Sequence, residues 1–228
     1  MSKVDSRFSP LFLILACSFV TSLLISNIIA GKLANFCGVV LPAAVILFPV
    51  TYIFGDVLTE VYGFRRARLV IWLGLGANVM MTLLFMVVLA LPYPEFWTGQ
   101  SAYATVLGFT PRLVLASLVA YWVGELLNSV VLSRLKVKTN GRFLWMRTIL
   151  STVVGEGADT MIFIGLGFGW TVPLTVLTGM MVAQYLWKVG YEVLLTPVTY
   201  LVVRWVKQKE MLDVYDHDVK YHWFKMEV

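Results

Sequence analysis

The stretch STVVGEGADTMIF, residues 151–163, sets two carboxylates, Glu156 and Asp159, inside an apolar run that extends over 148–170. A run of that length and composition reads as a membrane-crossing helix. An ionised carboxylate near the bilayer centre costs several kcal/mol, so such residues face a bundle interior or a wet cavity. Three residues apart on a helix, the two acids share one face. Gly155 and Gly157 flank Glu156 and leave the backbone open to close approach by another helix or a ligand. The stretch therefore points to a polar site in mid-membrane.

Composition agrees. The chain is 59% hydrophobic and 14% charged, with a mean hydropathy of +0.82, which places it in the helical membrane class and leaves no room for a separate soluble domain. A net charge of +5 would suggest nucleic acid in a soluble protein. Here the basic residues gather at span ends, so nucleic acid is not expected as a partner and the lipid bilayer is. Cys17 and Cys37 have no CxxC spacing and read as small apolar residues, with neither a disulfide nor a metal site implied. His217 and His222 lie in the polar tail, leaving no imidazole in the bilayer for zinc or for a Ser/His pair. No cofactor and no catalytic residue are expected.

Residues 11–29 supply roughly 19 apolar residues, enough for a ~30 Å hydrocarbon core. The run is too long for a signal-peptide core and reads as a retained first span. A second span is expected over 42–62, kinked or interrupted at Pro49. Further spans are expected at 69–91, 113–132 and 148–170, the fourth opened by Pro111. The last apolar stretch, 172–206, would measure ~52 Å as one straight helix. It must break or protrude, with Gly179, Gly190 and Pro197 as candidate break points and 183–204 as the crossing part. The fold class expected is an all-α integral membrane protein, one domain of six transmembrane helices over 1–228, kinked or broken around a polar site. Lys3, Arg7, Arg65, Arg66, Arg68, Arg134, Lys136, Lys138, Arg142, Arg147, Arg204, Lys207, Lys209, Lys220 and Lys225 fall on one side of this scheme, against Lys32 and Arg112 on the other. That asymmetry puts both termini in the cytoplasm. The tail, 207–228, is expected as a solvated cytoplasmic extension that can lie on the membrane surface.

Within the spans, Asp56, Glu60, Glu125, Glu156, Asp159 and Glu192 face a single base, Lys188. Gly55-Asp56 with Thr59, Gly124-Glu125 with Asn128 and Gly155-Glu156 with Asp159 share the pattern Gly-acid-x-x-polar. Each copy puts an acid and a second polar group on one helix face beside a residue without a side chain. Glu125 and Glu156 come to matching depth on consecutive antiparallel spans, in position to face each other. Gln184, Lys188 and Glu192, spaced by four, form a stripe in which Lys188 and Glu192 can pair. Glu60, beside Arg65, also suits an interfacial ion pair, and Asn128, Ser129 and Thr160 also suit interhelical hydrogen bonds. One lysine cannot neutralise all these acids, so some must be protonated, hydrated or bound to something. The candidate substrate-binding set is Asp56, Glu125, Asn128, Glu156, Asp159, Gln184, Lys188 and Glu192. Tyr52, Trp122 and Trp187 are stacking candidates that equally suit plain packing.

Four ordered motifs carry a family resemblance: FPVTYIFGDVLTEVYG at 48–63, AYWVGELLNSVVLSRLK at 120–136, RTILSTVVGEGADTMIF at 147–163 and QYLWKVGYEVLLTPVTY at 184–200. Through them the chain resembles the vitamin-uptake-transporter-like family of bacterial queuosine precursor transporters. The resemblance implies a transporter rather than an enzyme, multi-pass in the bacterial cytoplasmic (inner) membrane, importing 7-deazaguanine bases such as preQ0, preQ1 or queuine for tRNA modification. Gly124-Glu125 and Gly155-Glu156 stand where some members have Ser-Gln, which adds carboxylates to the implied site. A deazaguanine presents an N–H beside an exocyclic amine, a donor pair that one carboxylate can accept. Its carbonyl needs a donor such as Gln184, Asn128 or Lys188. Two other functions compete. An intramembrane aspartyl protease would use Asp56 and Asp159 sharing a proton, and a substrate-binding subunit would need an ATP-driven partner, since no Walker motif is present. Association of identical chains is left open.

Overall fold

The structure, a computed structural model, describes residues 8–30, 32–36, 39–108, 111–217 and 219–224. Lys3, Arg7, Cys37 and Lys225 lie outside the described residues. The first helix, α1 (Pro10–Ile29), starts where the sequence offers both a cap and a stop: the Ser9 hydroxyl accepts from the Phe12 N–H at 3.0 Å and Pro10 needs no partner for an N–H.

The second expected span is corrected by the structure. Instead of a helix from residue 42, two short strands, β1 (Leu33–Phe36) and β2 (Val39–Pro42), pair antiparallel with Ala34 opposite Leu41. A 3-10 turn (Ala43–Ile46) follows, and helix α2 runs only over Phe48–Tyr62. Pro49 starts this helix instead of kinking it, because a proline in the first turn removes an N–H that has no intrahelical acceptor. The fold is thus helical with a β-hairpin insert. At 15 residues, α2 is about 22 Å long.

Five helical stretches among the described residues are long and apolar enough to cross a membrane. They comprise α1, α3 (Phe64–Ala90), α5 (Pro111–Lys138) taken with the short α4 (Gln100–Leu107), α6 (Leu144–Phe168) and α7 (Leu174–Glu210). The outer surface of α3 is apolar, with Leu73, Met80, Leu83, Leu84 and Val87 exposed. Its buried Asn78 bonds to Asn27 of α1, which removes a polar group from that surface. α7 neither breaks at Gly179 or Gly190 nor ends at Pro197; it continues for 37 residues, about 55 Å, and so protrudes.

The α5–α6 contact is the most extensive between helices, and the two Gly-acid motifs make it. A Cβ on Gly124 would lie 2.9 Å from the Asp159 Cβ and 3.1 Å from the Gly155 carbonyl. One on Gly155 would lie 2.7 Å from the Asn128 Cβ and 2.8 Å from the Gly124 carbonyl. The helices cross glycine to glycine, which brings the acids that follow each glycine into one layer. Around this crossing, Phe12 and Phe19 of α1, Val57, Leu58 and Val61 of α2, Val70 of α3 and Val203 and Val206 of α7 form the main apolar core.

The described part of the tail is docked on the bundle instead of extending freely, with Met211 and Phe224 still exposed. From Met211 it turns back across the joined ends of α2, α3, α5 and α6. The Val214 N–H donates to the Val61 carbonyl at 3.1 Å, and the buried Asp216 carboxylate accepts from the Phe64 N–H at 2.9 Å, satisfying an orphan donor at the start of α3. Ser133 of α5 also donates to Asp216 and meets the Tyr221 hydroxyl at 3.0 Å. Trp223 accepts at its carbonyl from the Trp72 indole at 2.8 Å. The aromatics that suggested a membrane surface instead fill the gap between helix ends, against Phe64, Ile71, Leu126 and Val130.

Candidate substrate site

α2, α5, α6 and α7 each send polar side chains into the bundle at the level of the glycine crossing. Lys188 of α7 forms ion pairs with both acids of the α6 motif, at 2.7 Å to Glu156 Oε2 and in closer contact with Asp159. The expected Lys188–Glu192 pair is therefore replaced by a bridge to the neighbouring helix, which spends the one buried cation of the layer on two carboxylates. On α2 and α5, the Asn128 amide donates to Asp56 Oδ1 at 3.2 Å. Tyr52 stands one turn before Asp56 on α2, on the same helix face.

The remaining polar atoms define what this layer can bind. Asp56 Oδ2, Asn128 Oδ1, both carboxylate oxygens of Glu192, Thr160 Oγ1 and Trp187 Nε1 are buried with no hydrogen-bond partner among the described residues. Glu192 is 1% exposed and Asp56 is 1% exposed. Native proteins leave few buried polar atoms unsatisfied, each at a cost of about 1–3 kcal/mol. Several of them on four helices around one ion-paired lysine make a site in need of a polar ligand.

Other expected members stand apart. Glu125 turns toward α1 and α2, its Oε2 lying 3.4 Å from a Cβ placed on Gly55, in a small recess with Phe19, Leu58 and Val70. Among the described residues no hydrogen bond joins it to Glu156; at the crossing itself the two glycines meet. Glu125 still feels the charges of Glu156, Asp159 and Lys188. Trp122 joins Trp72, Trp223 and Phe224 in an aromatic cluster under the tail, with ring centroids 5.3–5.5 Å from its own. Trp187 stays near the acid layer, packed on Tyr191 with centroids 5.3 Å apart. Gln184 is half-buried one turn before Lys188. Asp56 and Asp159 are engaged by different partners, Asn128 and Lys188, and do not form the proton-sharing pair that a protease would need.

One turn beyond Asp56, Glu60 does not pair with Arg65. Its fully buried carboxylate is held by both guanidinium nitrogens of Arg147 at 2.8 and 3.1 Å and by Lys207 at 2.8 Å. Lys207 and Lys136 both reach Asp213 of the tail, and Lys136 also donates to the Glu60 carbonyl. Local spacing hid this second layer, because its members come from helices far apart in sequence. The signal present was Glu60 itself, an acid four residues after Asp56 and so on the same face of α2.

Five helical stretches long and apolar enough to cross a membrane, packed into one bundle, define the class as a multi-span membrane protein. Sequence comparison gives the class a family: the profile described as "Putative vitamin uptake transporter" matches residues 42–202, and the chain belongs to that family. It is similar to the "Probable queuosine precursor transporter" of Bacillus subtilis (strain 168), with 27% identity over 81% of each chain. It is also similar to the "Queuosine precursor transporter" of Escherichia coli (strain K12), with 29% identity over 55% of this chain and 54% of that one. No solved structure matches it. The family is one of transporters, in agreement with the expectation of transport in place of catalysis.

Proposed function

We propose that the chain imports queuosine precursors, 7-deazaguanine bases such as preQ0, preQ1 or queuine, across a bacterial cytoplasmic membrane. The observation that carries this reading is the set of buried, partnerless polar atoms on α2, α5, α6 and α7, in a chain whose similar proteins are named queuosine precursor transporters. Asn128 Oδ1 and the Glu156 carboxylate offer acceptors to the N–H and exocyclic amine of the base, Lys188 or Gln184 a donor to its carbonyl, and Tyr52 and Trp187 flat faces. Asn128 is less free to donate, since its amide already serves Asp56.

The chain crosses the membrane six times in this reading, with both termini cytoplasmic. The 15 residues of α2 and the four of the 3-10 turn together rise about 30 Å, which matches the hydrocarbon core. Irregular backbone at that depth is tolerated where protein or a polar cavity covers it. The ion pairs of Glu60 bring the basic ends of α5, α6 and α7 to one face, and the excess of Lys and Arg there marks that face as cytoplasmic. The test is uptake of labelled preQ0, preQ1 and queuine by cells unable to make queuosine, with and without the protein. Uptake that does not depend on the protein defeats the proposal.

A further inference from the structure

We infer that Glu192, with Asp56 beside it, is a specificity site for a primary ammonium group on the substrate. The inference rests on the proposed function and narrows its substrate class. Lys188 is the one buried cation of the acid layer, and Glu156 and Asp159 already engage it. Glu192 projects from the same face of α7, one turn on, with both oxygens buried and without hydrogen-bond partners among the described residues. Asp56 lies on α2, which packs against α7, and its Oδ2 is also without a hydrogen-bond partner among the described residues. An ammonium carries three donors and one positive charge. It complements these three acceptor oxygens and the excess negative charge that Lys188 leaves behind. A nitrile in the same place offers neither donor nor charge.

The probes are preQ1, whose aminomethyl group is cationic at neutral pH, and preQ0, which bears a nitrile. Their binding to the purified full chain in lipid nanodiscs is measured by competition against labelled preQ1. The wild type is expected to favour preQ1 by about tenfold or more, as for other charge-assisted hydrogen bonds. Glu192→Gln brings the ratio toward one, and Glu192→Asp, which keeps the charge, retains part of the preference. Asp56→Asn narrows the ratio in the same direction if Glu192→Gln does not fold. A wild type with no preference, or variants that weaken both bases equally, overturns the ammonium site but leaves the importer standing. Binding of neither base overturns both.

A different set of contacts carries a second inference: the tail and the Glu60 layer form the gate on the side of the joined helix ends. The four helices that hold the acid layer each contribute to this layer too, through Glu60, Lys136, Arg147 and Lys207, with Asp213 of the tail closing the network. A substrate leaving toward those ends must part these ion pairs and lift the tail. Two cysteine reporters read the opening in a background without Cys17 and Cys37. Ser133→Cys lies beneath the tail, and Ser129→Cys lies deeper, where the serine meets Thr59 at 2.9 Å between the two layers. Both are expected to react slowly with a maleimide in nanodiscs. In either Asp213→Asn or Lys207→Gln backgrounds both should react about tenfold faster, since a population shift of ~1.4 kcal/mol suffices. Acceleration at Ser133→Cys alone makes the tail a brace and overturns the gate, as does no acceleration at either. The reading needs no substrate, so it stands or falls apart from the identity of the cargo.

Discussion

Asp159 is the residue that, with Glu156, holds the buried Lys188. Replacing it with Asn keeps the shape at the glycine crossing but removes the charge that, with Glu156, holds Lys188. Asp159→Asn is expected to abolish uptake while the protein still inserts and purifies; normal uptake by this variant would remove Asp159 from the site. Membership of this layer is legible from the residues alone, because acids in an apolar run have few reasons to be there. The sequence could not assign partners. Periodicity along α7 favours a Lys188–Glu192 pair, whereas the structure spends Lys188 on α6, a choice made by the packing of two helices and invisible to spacing within one.

At the scale of elements, the two motif glycines and the tail organise the bundle. Gly155→Ala forces its Cβ against the Gly124 carbonyl and the Asn128 Cβ, so the α5–α6 crossing must open, at about 1–3 kcal/mol. Gly190→Ala meets nothing within 4 Å and should be neutral or stabilising by up to ~1 kcal/mol, the helix-propensity gain. Thermal unfolding of the two variants in detergent is expected to move in opposite senses or only for Gly155→Ala; equal shifts would argue against the crossing. The tail has a pH signature. Burial works to raise the Asp213 carboxyl, but hydrogen bonds from Lys136 and Lys207 outweigh it and hold the group below its ordinary value. Both lysines also face Glu60, whose other partner is Arg147. A lowered carboxyl contributes its docking stability above its unfolded value and loses it as pH falls through the folded one. Tail docking, read by Ser133→Cys labelling, should therefore be flat above about pH 5 and loosen only in stronger acid; loosening near neutrality would contradict the Asp213 contacts. The long apolar runs located the long helices in the sequence but not their ends: α7 begins at Leu174, nine residues before the expected 183, α2 begins at Phe48 where 42 was expected, and the short α4 was not expected. The hairpin over 33–42 and the docked tail were not legible either, since short strands of apolar residues look like span ends and an amphipathic tail looks solvated until its acceptors are known.

For the whole molecule, the open question is which way the bundle faces the membrane. Cysteines in place of Gly99 and Thr139 flank the stretch that holds α4 and α5, one in the α3–α4 connection and one just past Lys138. In intact cells the former should label with an impermeant maleimide and the latter should not; the reverse pattern would invert the proposed topology, and labelling of both would end the six-crossing arrangement. The central claim is transport of a 7-deazaguanine base through the acid layer. It is tested most directly by uptake of labelled preQ1, preQ0 and queuine into cells that cannot make queuosine and that express either the wild type or Asp159→Asn. Accumulation of at least one of these bases with the wild type and not with the variant is the expected result, and equal accumulation in both, or none above cells lacking the protein, would contradict it.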